Sequence, residues 1–224
     1  MIALLKELNI QYKDESLYEM AFTHSSFAYE NQTLKYEKLE FLGDAVIQLL
    51  MSDYLYKEDL ADEGEMTKKR AQAVCEKAFV IYSKSIHLGD YIKLGRGETI
   101  KGPNKSMIAD AFEALFAAIY LDLGLEEARR VFYLIAVPNF HLVWKIKDYK
   151  SALQELIQSG DKRVISYHTI KETGPSHNRE FEAAVKLDGN IILGVGKGKT
   201  KKEAEQNAAH EALKKGSYDS KEVI

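Results

Sequence analysis

Up to about residue 146, apolar side chains recur at three- and four-residue intervals, the period of an amphipathic helix. The pattern predicts helices near 16–22, 37–56, 63–86, 106–122 and 125–136. Gly64, the Gly89-Asp90 pair and the stretch from Leu94 to Asn104, which contains Gly and Pro, mark breaks between them. No convincing strand-like alternation interrupts this half. After Pro138 the chain runs through Trp144 and the charged segment Lys145-Ile-Lys-Asp-Tyr-Lys150, a candidate linker. Beyond it the period changes. A helical segment from Ser151 to Gln158 ends at Gly160, and alternating segments follow at Arg163–Lys171, Glu180–Leu187 and Ile191–Val195. Gly174-Pro175 and Asp188-Gly189 separate them, the second being a strong hairpin signal. A last helix is expected from about Thr200 to Lys215. The pattern predicts a multidomain chain: an all-α domain over 1–146, a linker at 147–150, a small α-β-β-β-α domain over 151–217 and a tail at 218–224. In the small domain a helix pair should cover one face of an antiparallel sheet.

Composition changes this picture little. Of 224 residues, 46% are hydrophobic and 29% charged, enough apolar material for two cores. The single Cys75 excludes an intramolecular disulfide and suits a reducing compartment. The N-terminal stretch MIALLKELNIQYKDE lacks the long apolar core of a signal peptide. The longest apolar segment, Met107 to Leu123, is interrupted by Asp110, Glu113 and Asp122, which argues against a membrane span. A cytoplasmic protein is expected. Charge adds an asymmetry: residues 1–146 hold 17 basic against 22 acidic residues, and residues 147–224 hold 14 against 12. An acidic module joined to a locally basic one fits a metal-using enzyme with a nucleic-acid-binding appendage.

The candidate chemistry lies in two of the predicted helices. Glu37, Glu40 and Asp44 are spaced by three and four, so a helix stacks them on one face. Asp110 and Glu113 are three apart in a helix that has no basic residue between Ser106 and Tyr120. Most acidic pairs are ordinary solvated faces, but these sit in largely apolar helices. Uncompensated carboxylates in such a setting must be paired, protonated or bound to a cation. Converging between two helices, they would form an all-oxygen site for Mg²⁺ or Mn²⁺.

The segment Glu37-Lys-Leu-Glu-Phe-Leu-Gly-Asp-Ala45 resembles the signature of the ribonuclease III family. Ala109-Asp-Ala-Phe-Glu-Ala-Leu115 is similar to that family's second acidic motif, and Ala21-Phe-Thr-His-Ser-Ser26 to its upstream helix entry. The resemblance implies metal binding by Glu40, Asp44, Asp110 and Glu113, with Asp44 and Glu113 as the catalytic pair. It places Glu37 near the substrate and subunit interface, and Phe41 in the packing of a partner subunit. It also implies a homodimer whose two sites each cut one strand of double-stranded RNA through Mg²⁺-activated water. The products would carry 5′-phosphate and 3′-hydroxyl ends with short 3′ overhangs, and the substrates would include ribosomal RNA precursors, messengers and other RNAs awaiting processing, transfer RNA among them. His24 is expected to be structural, near a helix start.

In the second domain Gln154 and Gln158 lie one turn apart on the first helix. His177 stands within the loop Gly174-Pro-Ser-His-Asn-Arg-Glu-Phe181, and Lys197, Lys199, Lys201 and Lys202 crowd the entry to the last helix. There, backbone N–H groups and the helix dipole favour a phosphate. The loop and the run Lys201-Lys-Glu-Ala-Glu-Gln-Asn-Ala-Ala209 resemble those of a double-stranded-RNA-binding domain. The resemblance implies RNA contacts by Gln154, Gln158, His177, Lys199, Lys201 and Lys202, reading A-form shape. Two rivals are a catalytically inactive RNA-binding relative, which should have lost one or more of the acids, and a helical phosphohydrolase for small molecules, which leaves the basic tail unexplained.

Overall fold

The computed structural model describes residues 1–58, 62–146, 148–160, 163–175 and 179–215. They form two compact units that divide after Ile146. The first unit is helical. Its elements are α1 (Ile2–Glu7), α2 (Glu15–Ala21), α3 (Ser25–Asn31), α4 (Glu37–Lys57), α5 (Glu63–Ala73), α6 (Glu76–Ser85), α7 (Arg96–Thr99), α8 (Lys105–Leu123), α9 (Leu125–Ala136) and α10 (Phe140–Val143). A parallel bridge between Thr23 and Lys93 is the one strand-like feature recorded among its described residues.

The predicted segments at 37–56, 106–122 and 125–136 correspond to α4, α8 and α9 within a residue or so. The expected helix at 63–86 is instead two, α5 and α6, which part at Val74 and Cys75. Cys75 adopts an extended N-cap conformation, and the buried faces on either side of it point to different neighbours. Gly64 is not a break: it lies in the first turn of α5, where its N–H is capped by the Asp62 carboxylate at 2.9 Å.

The core centres on α8, whose residues Ala111, Phe112 and Ala114 to Ile119 are all fully buried. Such all-round burial marks an internal helix. Phe112 fixes its rotation by stacking on Phe79 at 5.5 Å and meeting Phe116 at 4.9 Å between ring centroids. Helix α4 packs along α8, and its buried residues are Leu39, Gly43, Val46, Ile47, Leu50, Met51 and Leu55. The approach is so close at Gly43 that a Cβ there would lie 1.8 Å from the Glu113 carbonyl oxygen. Glycine at this point is what lets the two acid-bearing helices touch. The C-terminal end of α8 is tied down by Asp122, which accepts N–H bonds from Lys13 and Asp14 at 2.8 and 3.0 Å.

The second unit consists of α11 (Tyr149–Gly160), β1 (Ile165–Thr173), β2 (Glu180–Leu187), β3 (Ile191–Gly198) and α12 (Lys201–Lys215). The strands form one antiparallel sheet in the order β1-β2-β3, the expected α-β-β-β-α arrangement. Helix α11 begins at Tyr149, inside the segment read as linker. There Gln206 of α12 accepts the Tyr149 N–H at 2.9 Å and donates to Asp148 at 2.8 Å. The hairpin between β2 and β3 turns through Asp188 and Gly189, both at positive φ (50° and 77°), as a type I′ turn requires. Leu153, Ile157, Val185, Leu187, Leu193, Ala208, Ala209 and Ala212 form the core. The tail at 218–224 lies outside the described residues.

Candidate metal centre and nucleic-acid interface

Three of the predicted carboxylates meet. Glu40, Asp110 and Glu113 each offer an oxygen within 4.8 Å of the others, and all three residues are half-buried. Glu40 comes from the first turn of α4, as does Glu37, where the positive end of the helix dipole favours an anion. Asp110 and Glu113 come from one face of α8, opposite the anchoring Phe112. The start of α8 is fixed by Asn104, whose side chain accepts the Met107 N–H at 3.0 Å. Among the described residues none of the three carboxylates forms an ion pair.

The electrostatics record that lack. Burial, followed by repulsion from Asp44, Glu40 and Asp110, pushes the Glu113 carboxyl up to about 8. Glu40 is also held above its ordinary value, by burial and by the charges of Asp110 and Glu37. Asp110 is raised mainly by burial, which outweighs the lowering effect of hydrogen bonds from Ser106 and Tyr36. Asp44 repels Glu113 but is not one of the three converging groups. Its two oxygens accept bonds from the Gln48 amide, one turn on, at 3.0 and 2.9 Å.

Glu37 lies beside the cluster. One oxygen meets Lys35 at 3.1 Å, while its Oε2 is buried with no hydrogen-bond partner among the described residues. An orphaned carboxylate oxygen next to three unpaired carboxylates fits a site built for a hard divalent cation and its waters. Phe41, next to Glu40 on α4, points outward and is 84% exposed.

Neighbouring segments hold this face in place. His24 is the N-cap of α3, its Nδ1 accepting the Ser26 N–H at 3.2 Å, the structural role expected of it. Ser26 in turn accepts the Gly95 N–H at 2.9 Å. The residues that sequence reasoning passed over are Gly43, Tyr36, Gln48 and Ser106. Gln48 stands at i+4 from Asp44, a spacing that could have flagged it. Tyr36 beside an apolar helix reads as plain core.

In the second unit, Gln154 and Gln158 share one face of α11 and, with Arg163 and Val164, line a cleft of about 330 Å³. Lys199, Lys201 and Lys202 are exposed at the entry to α12, with the Lys201 ammonium 5.9 Å from the centre of the Phe181 ring. That helix start is partly satisfied from within: Thr200 Oγ1 accepts the Glu203 N–H at 3.1 Å, and Glu203 accepts the Lys199 N–H at 2.7 Å. His177 lies outside the described residues. Among the described residues no helix is long and apolar enough to cross a membrane.

Comparison with known proteins agrees with both halves. Residues 14–138 match the family model described as ribonuclease-III-like, and residues 149–215 match the double-stranded RNA binding motif. The chain is 54% identical over 213 residues to "Ribonuclease 3" of Phytoplasma mali, covering 94% of each. It is 45% identical over 221 residues to the protein of the same name from Caldanaerobacter subterraneus, covering 95% of this chain and 96% of the relative. Among solved structures, a nuclease domain of ribonuclease III from Campylobacter jejuni superposes with a TM-score of 0.57 at 37% identity. It covers 61% of this chain and 96% of that one. That structure is described as showing flexibility in a region involved in dimer formation.

Proposed function

The chain belongs to the ribonuclease III family and is an endoribonuclease for double-stranded RNA, and from that premise we propose that it hydrolyses both strands at a Mg²⁺ site between α4 and α8. The carrying observation is the convergence of Glu40, Asp110 and Glu113 within 4.8 Å, with no ion pair to any of them among the described residues. These three, joined by Asp44 once it leaves Gln48, would hold Mg²⁺, and Mn²⁺ could substitute. The ion would supply a Lewis acid that lowers the pKa of a water and takes up charge on the phosphate.

The protein's own part is orientation. Asp44 and Glu113, the proposed catalytic pair, accept hydrogen bonds from the attacking water and aim its oxygen at phosphorus, opposite the 3′ oxygen. The new P–O bond forms as the P–O3′ bond breaks and the 3′ oxygen takes a proton. The products are a 5′-phosphate and a 3′-hydroxyl. Glu37, with its orphaned Oε2, faces the substrate or the subunit interface.

An exposed stripe on α4 supports a homodimer: Phe41, Leu49 and Tyr56 are 84%, 53% and 79% exposed. Two sites related by the dimer axis would cut the two strands with a short stagger, leaving 3′ overhangs. Gln154, Gln158, His177, Lys199, Lys201 and Lys202 form the RNA-binding set. The glutamines and His177 lie against minor grooves, and the lysines against phosphates. Precursors of ribosomal, messenger and transfer RNA in the cytoplasm are the proposed substrates.

The test is a long, perfectly paired RNA incubated with protein in Mg²⁺ and in EDTA, with the ends of the fragments mapped. Paired cuts that need the metal and leave 5′-phosphates support the reading. Intact duplex at every Mg²⁺ and Mn²⁺ concentration would refute it.

A further inference from the structure

Beside the three converging acids, one polar contact holds a carboxylate that they do not include. Asp44 lies one turn beyond Glu40 on α4, and Gln48 one turn beyond Asp44. The Gln48 side-chain nitrogen donates to both Asp44 oxygens, at 3.0 and 2.9 Å. Glu40, Asp110 and Glu113 converge within 4.8 Å, and Asp44 is not among them. Asp44 is thus engaged at both oxygens and stands outside the convergence. Gln48 itself is exposed, but its main chain is held in place. The Ser52 hydroxyl donates to the Gln48 carbonyl at 2.8 Å, and Arg70 of α5 donates to that hydroxyl at 3.1 Å.

We propose that Gln48 is a positioning residue that parks Asp44 in the metal-free protein and so sets the affinity of the site for a divalent cation. The inference deepens the metal-site reading above and rests on it. A fourth carboxylate turned in among Glu40, Asp110 and Glu113 would add like-charge repulsion with no cation to offset it. The Gln48 amide gives Asp44 a neutral partner outside that field, which stabilises the metal-free state. When Asp44 joins the other three it gives up those bonds, so the stability they confer is subtracted from cation binding. The residue type suits the task. A lysine here would form an ion pair with Asp44 and hold it against the cation, and a leucine would not hold it at all. A glutamine–aspartate pair at this spacing also serves as an ordinary stabiliser of exposed helices. In that role it would stabilise the metal-free and metal-loaded protein alike, whereas a parking contact stabilises the first only.

The test is Mn²⁺ binding to the full-length protein by electron paramagnetic resonance, comparing wild type, Gln48→Met, Asp44→Asn and the double variant. Methionine keeps the reach and helix preference of glutamine without the donor. Gln48→Met should bind Mn²⁺ about 2–10-fold more tightly, the worth of a typical net hydrogen bond. Its melting midpoint should fall in EDTA and match wild type at saturating Mn²⁺. Asp44→Asn should weaken Mn²⁺ binding, and adding Gln48→Met to it should not tighten it, because the amide acts through the Asp44 charge. Wild-type or weaker affinity in Gln48→Met, with Asp44→Asn impaired, would overturn the role of Gln48 and leave the metal site standing. An equal loss of midpoint with and without Mn²⁺ would reduce the pair to a helix stabiliser and overturn it too. Wild-type affinity in Asp44→Asn would remove Asp44 from the metal-site reading and this inference with it. In wild-type protein, Mg²⁺ should shift the magnetic resonance signals of the Gln48 side-chain amide as Asp44 leaves it. Signals unmoved at saturating Mg²⁺ would overturn the proposal however the variants fold.

Discussion

A carboxyl pushed up to about 8 by burial and three neighbouring acids is a local cost that a cation relieves. The cost has a signature in the metal-free protein. The folded state holds a proton on Glu113 that the unfolded chain, near the ordinary value of 4.5, releases earlier. Between those values the folded state binds more protons, so stability falls as pH rises from about 4.5 to about 8 and then levels. Glu40 and Asp110 shift in the same direction. Thermal melts of EDTA-treated protein should therefore show a lower midpoint at pH 8.5 than at pH 6. Glu113→Gln should flatten the difference, and added Mg²⁺ should raise the midpoint most at the higher pH. At this scale the acids were legible in the sequence because carboxylates at helical spacing without basic neighbours are conspicuous. The contacts that aim them were not. Glu40 lies on α4 and Asp110 and Glu113 on α8, and no local pattern encodes their meeting.

Helices α4 and α8 were legible for the same reason their acids were: both are long and strongly periodic. Their mutual distance was not. Gly43 sets it, and the clash a side chain would make is with backbone, which cannot swing away. Gly43→Ala should destabilise the first unit by at least the ~1–3 kcal/mol typical of overpacking, and should weaken Mn²⁺ binding by separating Glu40 from Glu113. Denaturant unfolding and Mn²⁺ titration measure the two effects. A parallel device serves the second unit. Gly194, Gly196 and Gly198 of β3 face α12, and a Cβ on Gly196 would lie 2.2 Å from the Ala208 nitrogen. Ala204, Ala208 and Ala212 supply the matching small residues on the helix. Gly196→Ala should impair duplex binding while leaving Mn²⁺ affinity at wild-type level. The pause at Val74 and Cys75, which divides α5 from α6, carries neither Gly nor Pro. There α5, packed on α4, gives way to α6, packed on α8, and the sequence pattern ran through it unbroken.

The molecule assigns chemistry to one unit and duplex recognition to the other. Phosphate contacts release counterions, so duplex affinity should fall steeply with salt. Replacing Lys201 and Lys202 by alanine should reduce the slope of log affinity against log salt by about two, one for each lost phosphate contact, evenly across sequences. On the other unit, Phe41→Asp should shift the protein toward monomer in sedimentation, because it sets a charge in the most exposed aromatic of the α4 stripe. The α-β-β-β-α order was legible from the change in period near residue 150, whereas the helix start at Tyr149 was hidden by the charged run before it and depends on Gln206, far along the chain. The most direct test of the division of labour is Glu113→Gln in the full-length protein, with duplex binding and duplex cleavage measured side by side in Mg²⁺. The account predicts binding near wild type and cleavage reduced by more than the 10–100-fold typical of outer partners. Cleavage at the wild-type rate, or loss of binding together with cleavage, would contradict it.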